Sequence, residues 1–272
     1  MAKEDTPPVS ALAGQKTLIS RTMHALEYDP IEDELVVNSP LNNAILTFRG
    51  GAKGEEAPIR VIQGPRTQIQ STGYDGNDKM AMDSAHGEIY IPVATSGGAG
   101  KGVILVFDRE ANGDAPPKRI LGGPDTGFQF PSARGTGFPY IGIDPMRNLL
   151  VISAGGSLLI FDRTASGNAK PRGVITGPKT GLAEGATAAG SNSIKISPKG
   201  YIVGGCAPRG SVCAWNIDDR GDAAPRWRIP VPQLAGVGLA GQLTLDPIHQ
   251  TLVVPNGGRN VVMTFFWPEI FE

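Results

Sequence analysis

Only two cysteines and three histidines occur in 272 residues, too few for a disulfide-dense scaffold or a zinc site built on clustered histidines. Charge of one sign is also missing. With 25 basic and 26 acidic residues and a net charge of −1, the chain carries no electrostatic footprint for a phosphate backbone or an anionic membrane, which excludes nucleic acid as a partner. No apolar run approaches the roughly 20 residues that span a bilayer. Aromatics make up 6%, and helix signals are scarce. There is no Gly-x-Ser-x-Gly elbow, Walker loop or Cys-x-x-Cys pair. The first residues, Met1 to Pro8, lack the charged-then-apolar pattern of a signal peptide and read as a linker. Two origins fit this start: a mature secreted or periplasmic protein, or an ordinary cytosolic N-terminus. The cysteines lean toward export, because Cys206 and Cys213 flank a turn-forming stretch. Pairing the strands symmetrically about Arg209-Gly210 would set the two sulfurs opposite each other, and two buried thiols are the alternative.

What the chain has in quantity is turns, with 37 Gly and 23 Pro, and a repeat. His24-Ala-Leu-Glu-Tyr-Asp-Pro30, Asp78-Lys-Met-Ala-Met-Asp-Ser84, Pro139-Tyr-Ile-Gly-Ile-Asp-Pro145, Asn192-Ser-Ile-Lys-Ile-Ser-Pro198 and Gly241-Gln-Leu-Thr-Leu-Asp-Pro247 align as five copies. Each alternates with period two and runs into a hairpin turn. Their turn residues, at 29, 83, 144, 197 and 246, lie 54, 61, 53 and 49 residues apart, the size of a propeller blade. Second and third apolar runs follow in every unit, the third closing on Phe48, Phe107, Phe161, Trp215 or Phe265. Four units then pass through a proline into a fourth run beginning at Pro58, Pro117, Pro171 or Pro225. The fifth unit ends without one. Residues 15 to 21 are expected to supply it, completing the last blade and removing two exposed sheet edges. The expectation is an all-β, five-bladed propeller over residues 15–272 after a flexible segment 1–14. Six blades would require one hidden in Asp125 to Phe138, which is too short for four strands.

The Phe107-Asp108-Arg109 and Phe161-Asp162-Arg163 steps and the Gly-Pro-x-Thr joints at Gly64, Gly123 and Gly177 resemble bacterial NHL-type and YVTN-type repeats. Such propellers serve as binding modules, scaffolds and enzymes alike. A more distant resemblance is to the senescence-marker/gluconolactonase-like propellers, which hold a divalent cation at the axis. That likeness implies Asp78 and Asn192 as ligands of a cation such as Ca²⁺, with His24 in place of the family's Glu, and hence a metal-dependent hydrolase or lyase of lactonase type.

The residues themselves point to the mouth where the innermost strands begin, because side chains from every blade converge there. Its lining is expected to be His24, Asp78, Lys79, Tyr140, Asn192, Ser193 and Gln242, with Glu27 and Lys195 one step deeper and able to pair across the tunnel. His24 beside Asp78 is a candidate general base. Asp78 and Asn192 are candidate cation ligands, with Asp75 and Asn77 in support. The Gly-rich joint from 125 to 140 concentrates Phe128, Phe130, Phe138 and Tyr140 around Arg134, which fits a surface for a small molecule or a protein partner. The competing role for two of these rings is to cover the core. The leading functional expectation is a ligand- or protein-binding scaffold, with the hydrolase as the alternative.

Overall fold

A computed structural model describes residues 7–20, 23, 25–70, 77, 79–94, 102–128, 139–182, 194–208, 210–231, 243–256 and 261–272. Among the described residues nineteen strands form five antiparallel sheets, and there is no α-helix. Blade 1 holds β1 (Ala25–Asp29), β2 (Glu34–Ser39), β3 (Ala44–Arg49) and β4 (Arg60–Ile62). Blade 2 follows with β5 (Ala81–Asp83), β6 (Glu88–Ala94), β7 (Gly102–Asp108) and β8 (Arg119–Leu121). Blade 3 is β9 (Ile141–Asp144), β10 (Leu149–Ala154), β11 (Ser157–Asp162) and β12 (Gly173–Thr176). Blade 4 is β13 (Lys195–Ile196), β14 (Tyr201–Cys206), β15 (Ser211–Asn216) and β16 (Trp227–Pro230). Blade 5 has β17 (Thr244–Asp246), β18 (Thr251–Asn256) and β19 (Val261–Phe266). The five-bladed propeller expected from the repeat is the fold.

The hydrophobic core consists of layers between blades. Ile89, Ile91 and Phe107 of blade 2 pack with Val36 and Ile45 of blade 1. Tyr90 and Ile104 pack with Leu150, Ile152 and Phe161 of blade 3, and Val151 and Ile160 pack with Ile202 and Trp215 of blade 4. Val212 and Ala214 meet Leu252, Val254 and Trp267 of blade 5. Both faces of the inner blades are covered in this way, which is why their middle strands read as unbroken apolar runs rather than alternating ones.

Charged clamps reinforce the layers. Arg109 reaches back to Asp29 of blade 1 at 3.0 Å. Arg163 likewise reaches Asp83 of blade 2 at 3.5 Å and Glu88 at 2.5 Å. The Phe-Asp-Arg step is therefore an interblade tie. In blade 1 the same place is Gly50, so no such arginine reaches toward blade 5, and Asp246 there is held by His249 of its own turn at 2.6 Å.

Each Gly-Pro-x-Thr joint is built in one way. Gly64, Gly123 and Gly177 have φ of 138°, 138° and 131°, a region that L side chains rarely adopt. The next blade also leaves no room for a Cβ, since Asp114, Asn168 and Asp222 lie within 2.4 to 2.5 Å of its place. Those same side chains accept the N–H of Arg66, Asp125 and Lys179, each at 2.7 Å, while the joint threonines fold back onto the glycine carbonyls.

The N-terminus departs from expectation. The closing strand expected from residues 15 to 21 is not formed by the described part of that segment: Gln15–Thr17 is a 3-10 turn, and residues 18–20 are in no strand. Gly14-Gln-Lys-Thr17 is a fourth copy of the joint with its proline lost, having φ of 117° at Gly14 and Thr17 bonded back to Gly14 at 2.7 Å. Leu12 bridges Gly54 of blade 1 as Ile62, Leu121 and Ile175 bridge Gly113, Gly167 and Gly221. The strand-equivalent segment is therefore the one ending at Leu12, and the propeller's contacts begin before residue 15. Among the described residues the sheet of blade 5 has three strands, with Val262 and Phe266 of β19 exposed.

Candidate functional site

Most of the predicted inlet lies outside the described residues: His24, Asp78, Phe130, Arg134, Phe138, Asn192, Ser193 and Gln242. Three predicted binding residues are described, and all three are buried. Phe128 is 4% exposed and packs edge-on against Phe161 with ring centroids 5.7 Å apart, so its ring covers the core. Tyr140 is 5% exposed, and the Lys79 ammonium sits 5.9 Å from its ring centroid, joining blades 2 and 3. Nearby, the fully buried Asn38 of β2 donates Nδ2–H to the carbonyls of Asn77 and Lys79 and so holds the segment that carries Asp78. Among the described residues its Oδ1 has no hydrogen-bond partner. Asn38 was not picked out in the sequence, because it ends a second strand rather than opening a first. No group of three or more His, Cys, Asp or Glu among the described residues is placed to hold a metal ion.

Deeper along the axis, Lys195 of β13 holds Glu27 of β1 at 2.8 and 3.0 Å. Blades 1 and 4 are not neighbours in the ring, so this ion pair spans the channel as the shared repeat position predicted. The same position is Ala81 in blade 2 and Gly142 in blade 3, short side chains that leave the two long ones room to meet.

The opposite mouth, where the first hairpins turn, holds a cavity of about 300 Å³. Ile143, Ile196 and Leu245, one residue before the turn in blades 3, 4 and 5, form apolar walls, joined by turn prolines, Met146 and Phe271. Its charged lining residues are Asp144, which accepts from Arg147 at 2.8 Å, and Lys195. Around this mouth the turns of blades 1, 3 and 5 read Asp-Pro-Ile31, Asp-Pro-Met146 and Asp-Pro-Ile248, with the last residue exposed by 60%, 79% and 86%. The apolar residue after each Asp-Pro was visible in the repeat alignment. Turn positions normally face water without consequence, so the sequence alone does not single it out.

A second ionic cluster lies between blades 2 and 3. Burial alone would raise the pKa of the Glu88 carboxyl, but hydrogen bonds from Arg119, Lys118 and Tyr90 bring it down to about 2. The Tyr90 hydroxyl is pushed well above the usual range, first by burial and then by the Glu88 carboxylate it donates to. These groups are enclosed by the blades and serve the core.

The cysteines are bonded, Cys206 to Cys213, with Cα atoms 5.8 Å apart. The register differs from the symmetric one: Cys213 faces Gly204 and Cys206 faces Ser211, so the bridge runs diagonally across β14 and β15.

No family model matches the chain, and no curated protein sequence matches it. Among solved structures, the crystal structure of the Myceliophteria thermophila Cps50 (Swd1) β-propeller domain is similar, with a TM-score of 0.57 and 11% identity over 91% of this chain. The chain spans 65% of that structure's length, and the likeness is one of fold alone.

Proposed function

We propose that this propeller is a binding module that works outside the reducing cytoplasm and receives its ligand or partner at the turn face of the axis. One observation carries the reading: Met146 lines a concave cavity walled by Ile143, Ile196 and Leu245 and is itself left in water, and Ile31 and Ile248, at the same turn position of blades 1 and 5, are exposed as well. Scattered surface apolar residues need no explanation, but apolar groups gathered about a cavity mark an interaction site. A disulfide persists in oxidising compartments, so the Cys206–Cys213 bond supports a secreted or periplasmic location. The fold is commonly used for binding and scaffolding, which agrees with this role.

The test uses the protein labelled at its methionine methyl groups, of which Met146 is one of six. Titration with a panel of small apolar compounds should shift the Met146 signal first. Replacing Ile31, Met146 and Ile248 together by Glu should abolish binding, read by calorimetry, with the thermal midpoint unchanged. Hits that consistently move Met80 or Met82 and spare Met146 would remove this face from consideration.

The second reading is a divalent cation such as Ca²⁺ at the inlet mouth, held by Asp78 and Asn192, with His24 as base in a hydrolase. Its support is Asn38, which binds the carbonyls of Asn77 and Lys79 on either side of Asp78 and keeps a buried oxygen that has no partner among the described residues. Stabilisation by Ca²⁺ and turnover of lactones, both lost in Asp78→Asn, would establish it. In this reading the 125 to 140 joint, most of which lies outside the described residues, would contact the substrate.

A further inference from the structure

We infer that the turn-face cavity selects a small uncharged molecule that presents a hydrogen-bond acceptor, such as a ketone, ester or amide, and discriminates against the carboxylate of the same shape. The inference rests on the binding role proposed for that face and names the ligand chemistry.

Three features lead to it. First, the volume of about 300 Å³ lies at the small end of ligand sites, and its walls come from Ile143, Ile196, Leu245 and turn prolines. A compact apolar body fits them. Second, the cationic residue in the lining is Lys195, beside the polar Ser197 and Thr244, and its ammonium carries three donors. Among the described residues its hydrogen-bond partners are the two oxygens of Glu27, which leaves donor capacity for one acceptor. The other charged lining residue, Asp144, is 4% exposed and occupied by Arg147.

Third, the Lys195 charge is already balanced. Glu27 lies 2.8 Å from it, and the two side chains are only 16% and 26% exposed. A ligand carboxylate at Lys195 would put two anions on one cation in a partly dehydrated channel, where like charges disfavour each other. A ligand cation would meet the ammonium itself. A neutral carbonyl accepts the remaining N–H and meets neither penalty, while its apolar part covers surface that water otherwise occupies.

This assigns specificity to Glu27, a residue beyond the cavity wall that acts through Lys195. The experiment compares acetophenone with benzoate, two compounds of matched shape, by the Met146 methyl shift and by calorimetry. Native protein should bind acetophenone at least ten-fold more tightly than benzoate. Glu27→Gln leaves the ammonium unbalanced, so benzoate should gain at least ten-fold and overtake the ketone. Lys195→Met should weaken acetophenone at least three-fold. Folding of each variant is checked by its thermal midpoint. Because Glu27→Gln keeps the axial hydrogen bond, it supplies the decisive readout even if Lys195→Met fails to fold. Equal or tighter binding of benzoate by native protein, or an unchanged ratio in Glu27→Gln, overturns the inference. If benzoate moves Met146 and acetophenone does not, the face still binds and only the ligand class is wrong. Failure of both probes to reach Met146 at millimolar concentration also overturns it, whereas the proposed role of the face stands or falls on the wider compound panel and the triple Glu variant.

Discussion

Lys195 and Glu27 lie 168 residues apart in sequence and meet at 2.8 Å, tying blade 4 to blade 1 across the axis. Neighbouring blades are held by packed layers, so a tie between distant blades acts on the ring as a whole. Replacing Lys195 by Met should destabilise the fold by about 1–3 kcal/mol, since the partner carboxylate is left partly buried without its cation. Changing Glu27 to Gln as well should recover part of that loss. Urea unfolding of both single variants and the double variant measures the coupling; strictly additive effects would show that the contact contributes nothing.

Acid should attack the seam between blades 2 and 3. The Glu88 pKa is lowered from 4.5 to about 2 in the folded state, so the unfolded chain takes up the proton first as pH falls. The stability it contributes is complete above about pH 4.5, declines as pH falls from there to about 2, and is lost below. Glu88→Gln should flatten that part of the pH profile. It should also cost about 3–5 kcal/mol at neutral pH by leaving buried guanidinium groups uncompensated. Unfolding midpoints at intervals from pH 2 to 7 provide the check.

Reduction should loosen blade 4. The Cys206–Cys213 bridge closes a loop of separation 7, and a loop that short is worth about 2–3 kcal/mol on the chain-entropy account. Replacing both cysteines by Ala should lower the thermal midpoint by a few degrees and make it insensitive to dithiothreitol. A midpoint that still responds to the reductant would contradict this.

Ring closure can be tested by cross-linking. In blades 1 to 3 the third-strand residue three before the aromatic faces the fourth-strand residue two before the joint glycine: Ile45 with Ile62, Ile104 with Leu121 and Leu158 with Ile175. Carried to blade 5, this rule sets Leu12 opposite Val262. Leu12→Cys with Val262→Cys should form a disulfide detectable by peptide mapping, while Gln15→Cys with Val262→Cys should not. Deleting residues 1–12 should expose the β19 edge and promote aggregation.

Most of the architecture was legible because a propeller repeats its solution. The turn Asp or Ser, the third-strand aromatic and the proline before the fourth strand recur at fixed offsets, since each blade meets the same neighbours. The misplaced closing strand shows the limit of that legibility. Without its proline the joint at Gly14 no longer looked like the other three, so the count began one element late. The offset of six from Pro8 to Gly14 matches those from Pro58 to Gly64 and Pro117 to Gly123, but that match becomes compelling only once Gly54 is seen to seat Leu12.

The candidate site was read more partially. Position within the repeat foretold the pairing of Glu27 with Lys195, because equal offsets place side chains at equal depth along the axis. Phe128, expected equally as a binding ring or a core cover, takes the second place, since a ring beside Phe161 is removed from water by the adjoining blade.

By itself the sequence determined the number of blades, the order of strands and the shared level of Glu27 and Lys195, all of which follow from local periodicity and turn chemistry. Tertiary structure alone decided that the Phe-Asp-Arg step clamps the preceding blade, that the cysteines bridge diagonally and that the described cavity opens on the turn face. These depend on how the sheets twist and close against one another. Contacts between blades set that geometry, and no single repeat encodes it.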